Sequence, residues 1–253
     1  MPLRSSGAAE STSAAGSDAV TFSIVARDPG NGRFAVAVAT FHIAVGATVP
    51  HLRRNTGVAA SQGATNPYLA HRGLEALGNG LSATQALEWL LKGDDQRNAR
   101  QIHLVDAEGR SSAWTGEECN GFAGHLCDEN FSVAGNWLES TTVLEAMAEA
   151  FRQSDPTWKI GRRVLTALAA GEAAGGDRRS PMASSAALQV SGELDFPLLD
   201  LRVDFNSTAV SELQNLYNQS QQNWVQHWRD QLSTLPDGRP RPASDGNFNA
   251  GVA

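Results

Sequence analysis

Lysine is almost missing from this sequence: only Lys92 and Lys159 occur in 253 residues. The remaining bases are arginines, and acids still outnumber bases, leaving a formal net charge of −7. A chain with that balance has no basic surface with which to coat nucleic acid or an anionic membrane, so neither is expected as a partner. Cysteine is scarce too. Cys119 and Cys127 form no CxxC pair and no disulfide framework, and they read as buried or simply reduced thiols. No apolar run approaches the ~20 residues that a membrane span needs. The N-terminal stretch "MPLRSSGAAESTSAAGSDAV" has no continuous apolar core of the kind a secretory signal carries, so a cytoplasmic location is the expectation. No GxxxxGK[ST] phosphate loop and no GxSxG elbow is present, and "GNGRFA" is a turn, not a dinucleotide fingerprint. The six histidines (His42, His51, His71, His103, His125 and His227) never fall at the spacing that sets two ligands on one face. They read as core or surface residues, with His42 in a strand and His71 in a helix. No metal and no cofactor are expected.

What is present is an ordinary globular composition, 41% hydrophobic and 19% charged, long enough to bury a sizeable core. Residues 1–20 and 236–253 are rich in Ser, Ala, Gly and Pro and are expected to be disordered tails around one domain over 21–235. "TFSIVARD" alternates Phe22, Ile24 and Ala26 with Ser23, Val25 and Arg27, "DPGNG" is a turn, and "RFAVAVAT" is a second strand, so Thr21 to Thr40 reads as a hairpin. "GVAASQG" is a short third strand. Asn66 and Pro67 open a helix that "NG" at 79–80 ends, and Ser82 caps a second helix closed by Gly93. Strands follow at "RQIHLVDA", "SSAWTG" and "FSVAGN", then helices near 141–153 and 159–170. "AAGGDRR" is a loop, "SSAALQV" and "LLDLRVDF" are a closing strand pair, and 208–232 is a last helix. Strands in consecutive groups argue for antiparallel sheets covered by helices, two of them face to face.

One residue invites chemistry. Thr21 heads the first strand just after the tail. A threonine hydroxyl needs an adjacent base to act as a nucleophile. If Thr21 began the mature chain, its α-amine, with an unperturbed pKa near ~8, would be that base. From the residues alone Thr21 reads first as an ordinary exposed strand position. A separate reading pairs Cys119 as nucleophile with His125 as base.

The segments "TFSIVARDPGNGRFAVAVAT", "AVGATVP", "SQGATNP", "RQIHLVDAEGR", "TGEEC", "AGH", "AGN" and "AAGGDRR", in that order over about residues 20–218, resemble the family catalogued as domain of unknown function 1028. That family is similar to the N-terminal nucleophile hydrolases. The resemblance implies an α+β fold, a four-layer α-β-β-α sandwich of two mainly antiparallel sheets, and an amidohydrolase working through an acyl-enzyme on a small amide or peptide-like substrate. Members of the family commonly begin Met-Thr-Phe-Ser, so Thr21 aligns with a threonine exposed by loss of Met. Here twenty residues precede it, as a propeptide, through a misplaced start, or in a protein that is no working hydrolase but an unprocessed module binding a small ligand or a dimer partner. Gln62 and Asn66 are candidate oxyanion donors, although Asn66 is equally a helix cap. With neither lysine where the superfamily places one, Arg53 or Arg54 is the candidate cation or a solvated surface residue. Thr115, His125, Asn136, Asp177 and Arg178 are candidate substrate contacts or structural residues. A homodimer is expected.

Overall fold

The computed structural model describes residues 20–176, 184–232 and 234. The expected tails, and the candidates Asp177 and Arg178, lie outside the described residues, except that Val20 is placed and buried.

The first hairpin forms as its sequence predicts. Strand β1 (Thr21–Arg27) pairs antiparallel with β2 (Phe34–Thr40), Thr21 opposite Thr40 and Arg27 opposite Phe34. Asp28 builds the turn, its carboxylate accepting from Gly30 N and Asn31 Nδ2, both at 2.9 Å, and Gly32 takes φ +70°, which glycine adopts without steric cost. On the other side of β1 lies β8 (Phe131–Leu138), which puts Asn136 opposite Thr21. With β7 (Phe122–Asp128), β9 (Ser184–Val190) and β10 (Leu199–Asn206) these strands make a sheet in the order β10-β9-β2-β1-β8-β7. A second sheet, in the order β3-β4-β5-β6, comprises β3 (Pro50–Arg53), β4 (Gly57–Gly63), β5 (Arg100–Asp106) and β6 (Ser111–Thr115). All pairings among the described residues are antiparallel.

Helices α1 (Pro67–Gly78) and α2 (Ala83–Lys92) cover the outer face of the four-stranded sheet, where Leu69, Leu74, Leu77, Leu87 and Leu90 meet Ile102 and Leu104. Asn66 caps α1, and Ser82 and Gln85 form a capping box on α2. Asp106 ties α2 to β5 by accepting from Ala83 N at 3.0 Å. On the six-stranded sheet, α3 (Thr142–Gln153), α4 (Ile160–Ala173) and α5 (Ala209–Ser220) bury Phe22, Ile24, Val133, Met147, Val164, Leu168 and Leu213 together. The period of two in β1 thus sends Phe22, Ile24 and Ala26 to the helices and Ser23 and Val25 to the other sheet. Each fully buried large apolar side chain contributes about 1.5–3 kcal/mol, so the three apolar layers hold the α-β-β-α sandwich together. The fold is α+β, with four layers.

Three expectations need correction. The helix expected over 208–232 is two, α5 and α6 (Asn223–Leu232). Ser220 Oγ donates to Tyr217 O (2.7 Å) and Gln226 Nε2 to Ser220 O (2.6 Å), using up the carbonyls at the break. His42 lies in a bend after β2, not in a strand. β3 and β7 were not expected, being a four-residue strand led by proline and a largely exposed edge strand.

Candidate active site

The space between the sheets has an apolar and a polar half. Val25, Val36, Val38, Val58, Ala60, Val105 and Ala187 fill the first. The second lies next to Thr21 and carries, from Ser23 onward, a connected set of hydrogen bonds across both sheets. Ser23 Oγ donates to Gln62 Oε1 (2.8 Å), and Gln62 Nε2 donates to Gln101 Oε1 (2.7 Å), which also accepts from Asn136 Nδ2 (3.0 Å). Gln101 Nε2 lies 2.8 Å from Thr115 Oγ1 and 2.9 Å from Gly135 O. Since the Ser23 proton is given to Gln62, the 2.9 Å contact of Ser23 Oγ with His103 Nε2 requires Nε2–H on the ring. His103 Nδ1 is then an acceptor, and Ser132 Oγ, at 3.1 Å, donates to it. Thr115 Oγ1, which accepts from Gln101, also lies 2.9 Å from His125 Nδ1. His103 is wholly buried, and burial together with repulsion from His125 pushes its pKa down to about 3, so the ring is neutral at every physiological pH. Burial lowers His125 as well.

At the head of this layer stands Thr21, 6% exposed. Thr40 Oγ1 donates to Val20 O (2.8 Å), and the same carbonyl accepts from Phe41 N at 3.3 Å. Thr40 has one hydroxyl proton, so the 2.8 Å contact between Thr21 Oγ1 and Thr40 Oγ1 is a donation by Thr21. The Thr21 hydroxyl is thereby held beside a carbonyl whose oxygen already has two donors on it.

Of the residues singled out in the sequence, Thr21, Gln62, Thr115, His125 and Asn136 gather at this end of the sandwich. Two of the oxyanion donors expected there have other tasks. Gln62 has no exposed surface, and its amide is engaged at both ends inside the layer. Asn66 Oδ1 accepts from Tyr68 N (3.2 Å) and caps α1. Arg53 is not brought to the site. It pairs with Gly57 at the opposite end of β4 from Gln62, about 16 Å away at ~3.3 Å per residue, and beside it Arg54 faces Asp195 at 3.5 Å. Cys119 and His125 form no dyad: the thiol, its pKa raised by burial, donates to Arg100 O at 3.4 Å, and His125 Nδ1 is engaged by Thr115. The sequence reading missed Thr40, Phe41 N, Ser23, Gln101, His103 and Ser132. The hairpin register placed Thr40 opposite Thr21, and the Gln101–His103–Val105 alternation in β5 put polar groups on a buried face, so a signal existed for these three.

A family model described as a family of unknown function, DUF1028, matches residues 21–213. The chain belongs to that family. The crystal structure of a DUF1028 protein from Silicibacter pomeroyi is similar to it, with 32% identity and a TM-score of 0.76 over 84% of this chain and 94% of that one. Anbu (ancestral beta-subunit) from Yersinia bercovieri matches over 87% of this DUF1028 chain and 100% of its own, at 10% identity and a TM-score of 0.37. No curated protein matches the chain. Among the described residues, no group of three or more His, Cys, Asp or Glu is placed to hold a metal ion, and no helix is long and apolar enough to cross a membrane.

Proposed function

We propose that this DUF1028 chain is an amide-bond hydrolase of the N-terminal nucleophile type, acting on a small amide or peptide-like substrate once the Val20–Thr21 bond is cut. The observation that carries the reading is the pair of donors, Thr40 Oγ1 and Phe41 N, converging on Val20 O beside the Thr21 hydroxyl. Attack on an amide carbon places negative charge on its oxygen, and donors already aimed there lower that barrier. After cleavage Val20 O is gone, and the same two donors are free for the carbonyl oxygen of an incoming amide. Thr21 Oγ1 then bonds to the amide carbon while its proton passes to the freed α-amine. Collapse breaks the C–N bond, the departing amine takes that proton, and water hydrolyses the ester left on Thr21 to a carboxylic acid. Before cleavage the Thr21 nitrogen is a peptide nitrogen without a usable lone pair, and the hydroxyl is nearly closed off from solvent. That closure favours the rival reading, an uncleaved module that binds a small ligand.

Intact mass of the purified chain separates the two, followed by an amide-substrate screen of a chain beginning at Thr21. The hydrolase reading expects loss of residues 1–20, turnover by the Thr21 chain, and at least a 100-fold drop in Thr21→Ala and a smaller one in Thr40→Val. A full-length mass, with no turnover by the chain that begins at Thr21, leaves the binding module.

A further inference from the structure

A second cavity lies at the far end of the sandwich. Its rim includes Asp28, just past the end of β1, and at ~3.3 Å per residue seven residues of strand set it about 23 Å from Thr21. The cavity holds about 230 Å³, the share of roughly eight waters in the liquid, and so takes a ligand of about that many non-hydrogen atoms. Its apolar lining includes Val190, Leu198, Leu199 and Tyr217.

The polar lining carries two cations with few partners. Lys159, one of only two lysines in the chain, has, among the described residues, a neutral amide as its hydrogen-bond partner, Gln221 Oε1 at 2.8 Å. Arg229 has a buried Nε with no hydrogen-bond partner among the described residues. A buried charged donor without a partner is costly, and such groups are normally filled by an acceptor. Arg33 makes only a long, exposed contact to Glu193 at 3.5 Å. Two acids complete the wall. Asp28 spends its oxygens on its own turn, and Asp230 is itself engaged. With Arg33 offset by Glu193, Lys159 and Arg229 are the lining cations with no carboxylate at ion-pair distance among the described residues, and one carboxylate can lie between them; a dianion would meet Asp28 and Asp230. Gln221, Gln226, Arg229 and Asp230 come from α6 and the turn before it, beyond residue 213 where the family match ends. The helix that closes the cavity therefore lies outside the segment on which family membership rests.

We propose that this cavity binds a small apolar monocarboxylate, its carboxylate between Lys159 and Arg229 and its hydrocarbon against the Val190–Leu198–Leu199–Tyr217 lining. The site is separate from Thr21 and stands whether or not the chain is cleaved.

The probe is 4-methylpentanoate, compared by titration calorimetry on the full chain with its neutral isostere 4-methylpentanamide and with inorganic phosphate. The carboxylate is expected to bind at least tenfold more tightly than either. Arg229→Gln and Lys159→Met should each weaken it at least fivefold with the melting temperature held, and Arg72→Ala, on α1, should leave it unchanged. Lys159 is exposed enough that its variant reports on binding even where Arg229→Gln unsettles α6. Equal affinity for the amide, tighter binding of phosphate, wild-type affinity in Lys159→Met, or no heat up to millimolar ligand each overturns the proposal.

Discussion

Replacing His103 with glutamine should flatten the acid side of the stability curve. The ring is fully buried among Ser23, Ser132 and the two sheets, and its pKa stands at about 3 in the fold against 6.5 for the free side chain. Above pH 6.5 the imidazole is neutral in both folded and unfolded chains and contributes no pH dependence. Below 6.5 the unfolded chain takes up a proton that the folded chain refuses, so stability falls as pH falls, down to about pH 3 where the folded ring also titrates. The full loss is about 5 kcal/mol, and at pH 4.5 it is already about 3 kcal/mol, a large share of the 5–15 kcal/mol that holds a typical domain together.

Glutamine keeps one donor and one acceptor but cannot titrate. His103→Gln should therefore be less stable than wild type at pH 7, by about 1–3 kcal/mol for an imperfectly remade buried hydrogen bond, yet lose about 3 kcal/mol less than wild type between pH 7 and pH 4.5. Urea unfolding at the two pH values, read by tryptophan fluorescence, measures the difference of differences. Carboxylates and the remaining histidines titrate alike in both proteins and cancel. Parallel pH curves, within about 1 kcal/mol, would mean that His103 takes up its proton in the fold, and the neutral Nε2–H ring on which the directed hydrogen-bond chain depends would be wrong.

Asn66→Ala should cost about 0.5–2 kcal/mol in denaturant melts through loss of the α1 cap, with no loss of turnover in the Thr21 chain beyond that explained by unfolding; a 100-fold fall in activity would restore it as an oxyanion donor. Cys119→Ala should leave any amide turnover intact, and iodoacetamide at pH 7.5 should alkylate Cys119 at least tenfold more slowly in the folded than in the urea-unfolded protein, because burial raises the thiol's pKa. Gly171→Ala, which places a methyl 2.7 Å from Met147 Cγ and 3.3 Å from the Phe22 ring, should destabilise by about 1–3 kcal/mol through overpacking between α4 and α3, read as a lower urea midpoint.

The parts of the fold legible in sequence are those fixed by neighbours along the chain. The turn chemistry of Asp28 to Gly32 set the Thr21–Thr40 register, and Asn66–Pro67 and Ser82 marked two helix starts within a residue of where they occur. The elements missed depend on distant partners. Pro50–Arg53 is a strand only because β4 pairs with it, and Phe122–Asp128 exposes much of its length and is held by β8. The break after Ser220 carries neither glycine nor proline, and is made by side chains bonding backwards onto carbonyls. The site divides the same way. Thr21 and Thr40 are joined by a local hairpin, whereas Ser23 meets Gln62 and His103 across 39 and 80 residues of chain, a proximity no periodicity reports.

That division bears on which groups are left to react. Ser23, Gln62, Gln101, His103 and Ser132 each have partners inside the layer, so the desolvation of these polar atoms is offset by hydrogen bonds and a substrate finds no vacant donor among them. The members of the network position; they do not have to touch a substrate. At the head of β1, Thr40 Oγ1 and Phe41 N are spent on a carbonyl that belongs to the residue before Thr21. On the proposed hydrolase reading, a bond cut there is the covalent change that frees two donors, a hydroxyl and an amine in one place, and the state of the Val20–Thr21 bond is what that reading turns on.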